Sequence, residues 1–125
     1  MLRLSIAWEM YQKFIITGDG GLKFGNVYHH RNLLAYDENC SYGGGLWRID
    51  ESRKMVLLFG RSFEFGTPDF SFLSYVNRSG IGDVDYPLFY QPHWPYDETL
   101  VLINTGYLIN YKCDANLVCI AFVMI

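Results

Sequence analysis

No run of lysine or arginine occurs in these 125 residues, and the formal net charge is −3. Without a basic stripe there is no electrostatic footprint for nucleic acid or for a membrane surface, so any anion site must be local. Cysteine is scarce as well. Cys40, Cys113 and Cys119 make an odd number without zinc-like spacing, which argues against a disulfide framework or a structural metal site and for reduced, cytoplasmic thiols. Long apolar runs are missing too: "LVCIAFVMI", residues 117–125, is far below a transmembrane span. "MLRLSIAWEM" has one basic residue, an acidic Glu9 and too short an apolar run for a secretion signal. Neither G-x-x-x-x-G-K-[ST] nor G-x-G-x-x-G is present, so no nucleotide phosphate loop is expected.

What is present is apolar and strand-like. Half of the residues are hydrophobic, enough for a single core, so one domain over residues 1–125 is expected. "YQKFIITGDGGLKFGNVYHH" reads as a hairpin around Asp19-Gly20, which supplies the positive φ of a tight turn and puts Lys13 and Lys23 on opposite arms. "LWRID", "ESRK" and "MVLLF" form a second hairpin signal, and "TLVLINTGYLINYK" a third with its turn at Thr105-Gly106. "RNLLAYDENC" suggests a helical turn or two. After Pro68, Asp69 is placed to cap a helix with Phe72, Leu73 and Val76 on one face and Gly80 at its end. "DYPLFYQPHWPYD" is a proline-punctuated aromatic loop. The expected class is therefore α+β: a mixed or mostly antiparallel sheet packed with one or two helices. Residues 117–125, β-branched and apolar, read as a buried strand that either the sheet or a second copy in a homo-oligomer must cover.

Three stretches carry candidate chemistry. In "YHHRNLL", His29 and His30 are adjacent on what reads as a strand end and point to different sides, so one at most enters a given pocket and the two do not share a metal. "GRSFEFG" lacks the spacing of a G-x-S-x-G nucleophile elbow, but Gly60 and Gly66 frame Ser62 so that the turn can present backbone N–H groups to an anion. Taken singly, it is a plain turn. Gly43, Gly44 and Gly45 read as a bend before a strand, a place where something approaches the backbone closely. Tyr86, Phe89, Tyr90, Trp94 and Tyr96 either cover a sheet face or form a recognition platform, the basis of an alternative in which the 86–97 loop makes this a non-catalytic ligand- or protein-binding module.

Taken in order, "HHRNL", "GGG" and "FGRSFEFG", preceded by "YQKFII" and followed by "TLVLINTGY", resemble the janus/ocnus family of protein-histidine phosphatases, as a divergent, bacterial-looking member. The resemblance covers residues 11–107 and leaves 108–125 as an additional C-terminal strand segment. It implies hydrolysis of a phosphoramidate, in a phosphorylated protein or a small molecule, with no metal and no cofactor. Carried over, His30 is the catalytic histidine and His29 stands at the aromatic position before it. Lys13 is the first-strand lysine, and Ser62, Phe63 and Glu64 form the phosphate-binding loop; beside this carry-over, Lys23 and His29 are the accessory candidates. Two charges depart from the family's pattern. Leu46 stands where the eukaryotic members have arginine, so Arg48 would have to reach back from the same strand face, and Glu64 puts a carboxylate where a small residue is expected. The segment between His30 and Gly43 is also shorter.

Overall fold

The computed structural model describes residues 11–103 in full and the backbone of residues 104, 107–113 and 119–124. Among the described residues, nine strands lie in one sheet: β1 (Gln12–Thr17), β2 (Gly21–Asn26), β3 (Cys40–Asp50), β4 (Met55–Phe59), β5 (Tyr75–Asn77), β6 (Leu88–Gln91), β7 (Thr99–Asn104), β8 (Tyr107–Cys113) and β9 (Cys119–Met124). Their spatial order is β5-β2-β1-β3-β4-β6-β7-β8-β9. The three expected hairpins are β1–β2, β3–β4 and β7–β8, each antiparallel. Among the described strands only β2–β5 and β4–β6 pair in parallel. The turn expected at Thr105-Gly106 lies outside the described residues, as do the side chains of the last strand.

The expected α+β class is overturned. The described residues are nearly all sheet and among them no helix reaches seven residues, so no helical layer packs on the strands there. The reason is clearest at residues 68–81. Asp69 does accept the Ser71 N–H at 2.9 Å, and one turn closes from Leu73 N–H to the Phe70 carbonyl. The next amide, Ser74, donates instead to the Gly20 carbonyl at 2.8 Å, and the chain continues as β5 against β2. A sheet edge at hand outcompetes local helix propensity, which is a weak force of tenths of a kcal/mol per residue. The anticipated helix face does not exist: Phe72 is exposed, whereas Phe70, Leu73 and Ile81 are buried. "RNLLAYDENC" yields a single 3-10 turn, His30–Leu33. The aromatic loop is also shorter than expected, because Leu88–Gln91 is strand β6.

Alternation along the strands sorts the core onto two faces. Phe14, Ile16, Leu22, Phe24, Trp47, Val56 and Leu58 occupy the first face, and the 68–86 connection crosses it to plug Phe70, Leu73 and Ile81 among them. Met55, Leu57, Phe59, Phe89 and Leu100 occupy the second, with Leu46 against them. On that second face one lateral row runs Lys13, Leu46, Phe59, Gln91 across β1, β3, β4 and β6. The 3-10 turn lies against β1 and β2.

The glycine triplet lies within β3, at an irregularity where the β1–β3 register slips between Ile15 and Thr17. It is not a bend before a strand. Gly43 has φ +78, and a side chain there would come within 2.2 Å of the Thr67 carbonyl; one at Gly44 would come within 2.3 Å of the Phe14 carbonyl. What approaches these glycines is the protein's own backbone.

Candidate functional site

His30 opens the 3-10 turn and is 8% exposed, while His29 before it is exposed and stacks edge-on against Tyr28. The two histidines thus diverge as expected, though on a turn and not on a strand end. The Nε2 of His30 lies 2.8 Å from the Gly45 carbonyl oxygen. A carbonyl only accepts, so Nε2 carries the proton, and in a neutral ring Nδ1 holds the free lone pair. A Cβ built on Gly44 would lie 3.2 Å from His30 Cδ2, so the Cδ2–Nε2 edge faces the glycine strand and Nδ1 points away from it. No described residue hydrogen-bonds Nδ1. Burial, helped by the positive charge of Lys13, pushes the ring below its usual pKa; the Gly45 bond and the Glu64 carboxylate oppose this less strongly. His30 is accordingly a neutral, largely enclosed imidazole with one basic nitrogen.

Lys13 shares this face. Its ammonium donates to the Val27 carbonyl at 3.2 Å and lies 5.5 Å from the Tyr11 ring centre, and burial lowers its pKa. Lys23 pairs with Glu38 at 2.6 Å beside a cleft of about 550 Å³ whose acids, Asp19, Asp37 and Glu38, repel phosphate. It is therefore engaged elsewhere. Arg48 is turned toward Phe59 and Trp94. Its guanidinium stands 5.8 Å from the centre of the Phe59 ring and lines a cleft of about 180 Å³ with Trp94 and Glu98.

The Ser62 loop reaches the same glycines. Ser62 N–H donates to the Gly44 carbonyl at 2.9 Å and to the Gly66 carbonyl at 3.1 Å, and Gly66 N–H returns a bond to the Ser62 carbonyl. The buried Ser62 hydroxyl accepts the Phe65 N–H at 3.0 Å. Ser62 is thus a structural pin joining the loop to β3 beside His30: its amide is fully engaged, and its side chain is buried. The amides of Phe63 and Glu64 are different: among the described residues they have no acceptor. Glu64 itself forms a forked pair with Arg31, Nε to Oε2 at 3.1 Å and Nη2 to Oε1. Sequence reasoning missed Arg31, although a lone arginine next to the histidine and a lone acid in a glycine-framed loop were there to be matched.

The five aromatic candidates split. Phe89 is buried, Tyr90 packs on Phe70, and the Tyr86 hydroxyl donates to Glu51. Trp94, 42% exposed, and Tyr96 remain presented, with Trp94 packed at a tilt against Phe59, ring centres 4.9 Å apart. Among the described residues no helix is long and apolar enough to cross a membrane. Comparison of the chain with protein-family models, with curated proteins and with solved structures finds no match.

Proposed function

We propose that this is a phosphohistidine or phosphoramidate phosphatase-like protein that uses His30, on the terms of the janus/ocnus resemblance. The observation that carries the reading is the His30–Gly45 bond, because it leaves Nδ1 basic in a ring that burial keeps neutral near pH 7. Such a nitrogen serves either of two steps. It attacks phosphorus while the P–N bond breaks toward the leaving amine, and water later releases phosphate, or it takes the proton of an attacking water directly. The transition state spreads negative charge over its oxygens, which a nearby ammonium and unsatisfied amides stabilise. Lys13 and the Phe63 and Glu64 amides are the groups for that role. A phosphorylated protein or a small phosphoramidate is the partner in this reading, and a cytoplasmic setting goes with it, supported by the odd cysteine count.

The test is conversion of phosphoramidate to inorganic phosphate, followed by phosphorus NMR. The wild-type protein should accelerate it and His30→Ala should not, while His29→Ala keeps most of the activity. Equal loss in both variants would remove His30 from its role.

A second reading has its own support. Clefts of about 180 and 270 Å³ flank the exposed Trp94, with Arg48 beside one and Arg61 beside the other. A non-catalytic module would use this ring and Tyr96 for stacking, at a site separate from His30.

A further inference from the structure

We propose that Arg31 is the anion clamp of the His30 site and that Glu64 is its built-in occupant, a carboxylate that a phosphoryl group must displace. This inference rests on the phosphoryl reading given above and goes beyond it, since it names the residue that takes the place of the arginine missing at position 46 and the contact that holds the site closed.

The Arg31–Glu64 pair is forked, with Nε and Nη2 each donating to a different carboxylate oxygen. That geometry is the one by which guanidinium also grips a phosphate, and a lysine does not reproduce it. Its location is the second observation. Arg31 follows His30 in the 3-10 turn, and the loop that carries Glu64 is tied by the Ser62 N–H to the Gly44 carbonyl, next to the Gly45 carbonyl that the His30 ring bonds. Arg31, by hydrogen bond and by charge, holds the Glu64 carboxyl below its usual pKa against an opposing desolvation. The ion pair therefore ties the residue after His30 to the loop whose Phe63 and Glu64 amides lack acceptors among the described residues.

The pair is also exchangeable. Its side chains are 64% and 38% exposed, and ion pairs this open to water hold their partners weakly. A phosphate dianion carries more charge and an additional oxygen for the loop amides, so it competes well with a single carboxylate once Glu64 swings outward. By the same logic Glu64 weakens the site for every anion, and its removal leaves the fork of Arg31 open.

The test is titration of inorganic phosphate into the whole protein, read by NMR on the amides of the Ser62 loop and on the His30 ring. The variants are Glu64→Gln, Arg31→Ala, Arg31→Lys and the pair Arg31→Ala with Glu64→Gln. Because both side chains are at the surface, the amide spectrum should show folded protein in each. The expected result is that Glu64→Gln tightens phosphate binding about fivefold or more, that Arg31→Ala weakens it about tenfold, and that Arg31→Lys lies close to Arg31→Ala. In the Arg31→Ala background, Glu64→Gln should give little. If its gain persists there, Glu64 acts by plain repulsion and the clamp is overturned. Phosphate binding at His30 that ignores both residues would also overturn the inference while leaving the phosphoryl reading intact. Absence of binding in every variant, Glu64→Gln included, would overturn both.

Discussion

The carbonyl of Gly45 receives the Nε2 proton of His30 at 2.8 Å, and this bond fixes which nitrogen of the ring is basic. It also sets a pH dependence. Burial holds the folded-state pKa of His30 below its ordinary value of 6.5. Over the interval between that lowered value and 6.5, the unfolded chain binds more protons here than the folded one, so stability falls as the pH drops through it. The contribution of the neutral ring is fully present above 6.5. Denaturant titrations should show the wild-type protein losing stability on acidification from pH 7 toward pH 5 more steeply than His30→Gln, whose side chain does not titrate. Parallel curves would mean that His30 is as easily protonated folded as unfolded.

Gly43 and Gly44 should be intolerant of a side chain, for a steric reason independent of any ligand. Gly43→Ala meets the Thr67 carbonyl and an unfavourable φ, and Gly44→Ala meets the Phe14 carbonyl and the His30 ring. Overpacking of this kind costs about 1–3 kcal/mol. Chemical denaturation should show such a loss for each. For Gly44→Ala the His30 ring signals should shift as well, since the ring has to move.

Trp94 separates packing from recognition. Its ring packs at a tilt against Phe59 yet remains 42% exposed, so Trp94→Ala should destabilise by only about 1 kcal/mol. It should leave phosphoramidate turnover unchanged, because the ring lines the Arg48 and Arg61 clefts and not the His30 site. Thermal melts and the phosphorus assay check the two halves independently.

Asp50 anchors the β3–β4 turn. Although desolvation would raise its pKa, bonds from Ser52 and from the Arg53 amide and guanidinium outweigh this and lower it to about 2. With the unfolded value near 3.8, this contribution is complete above that pH and is lost between there and about 2. Asp50→Ala should cost about 1 kcal/mol at pH 7 in denaturant melts and much less at pH 2.

The hairpins were legible because local chemistry decides them: Asp19-Gly20 turns β1 into β2, and the polar "ESRK" separates two apolar-rich arms. The placement of His30 away from His29 was legible too, from adjacency alone. The missing helix was not, since Asp69 and the apolar spacing after it give a sound local signal that a distant partner, the Gly20 carbonyl, overrides. The glycine triplet was misread for the same reason, its close neighbours Thr67 and Phe14 being remote in sequence. Arg48 shares a face with Leu46 as alternation requires, but the Phe59 ring draws it toward Trp94, a preference that strand periodicity does not encode.

The most direct measurement is a long-range proton–nitrogen NMR spectrum of the His30 ring, recorded at neutral pH without and then with millimolar phosphate. A neutral ring protonated on Nε2 is expected, with the Nδ1 resonance shifting as phosphate binds while Nε2 keeps its hydrogen-bonded position against Gly45. A proton on Nδ1 in the free protein, or ring nitrogens unmoved by phosphate in both the wild type and Glu64→Gln, would contradict a phosphoryl site at His30.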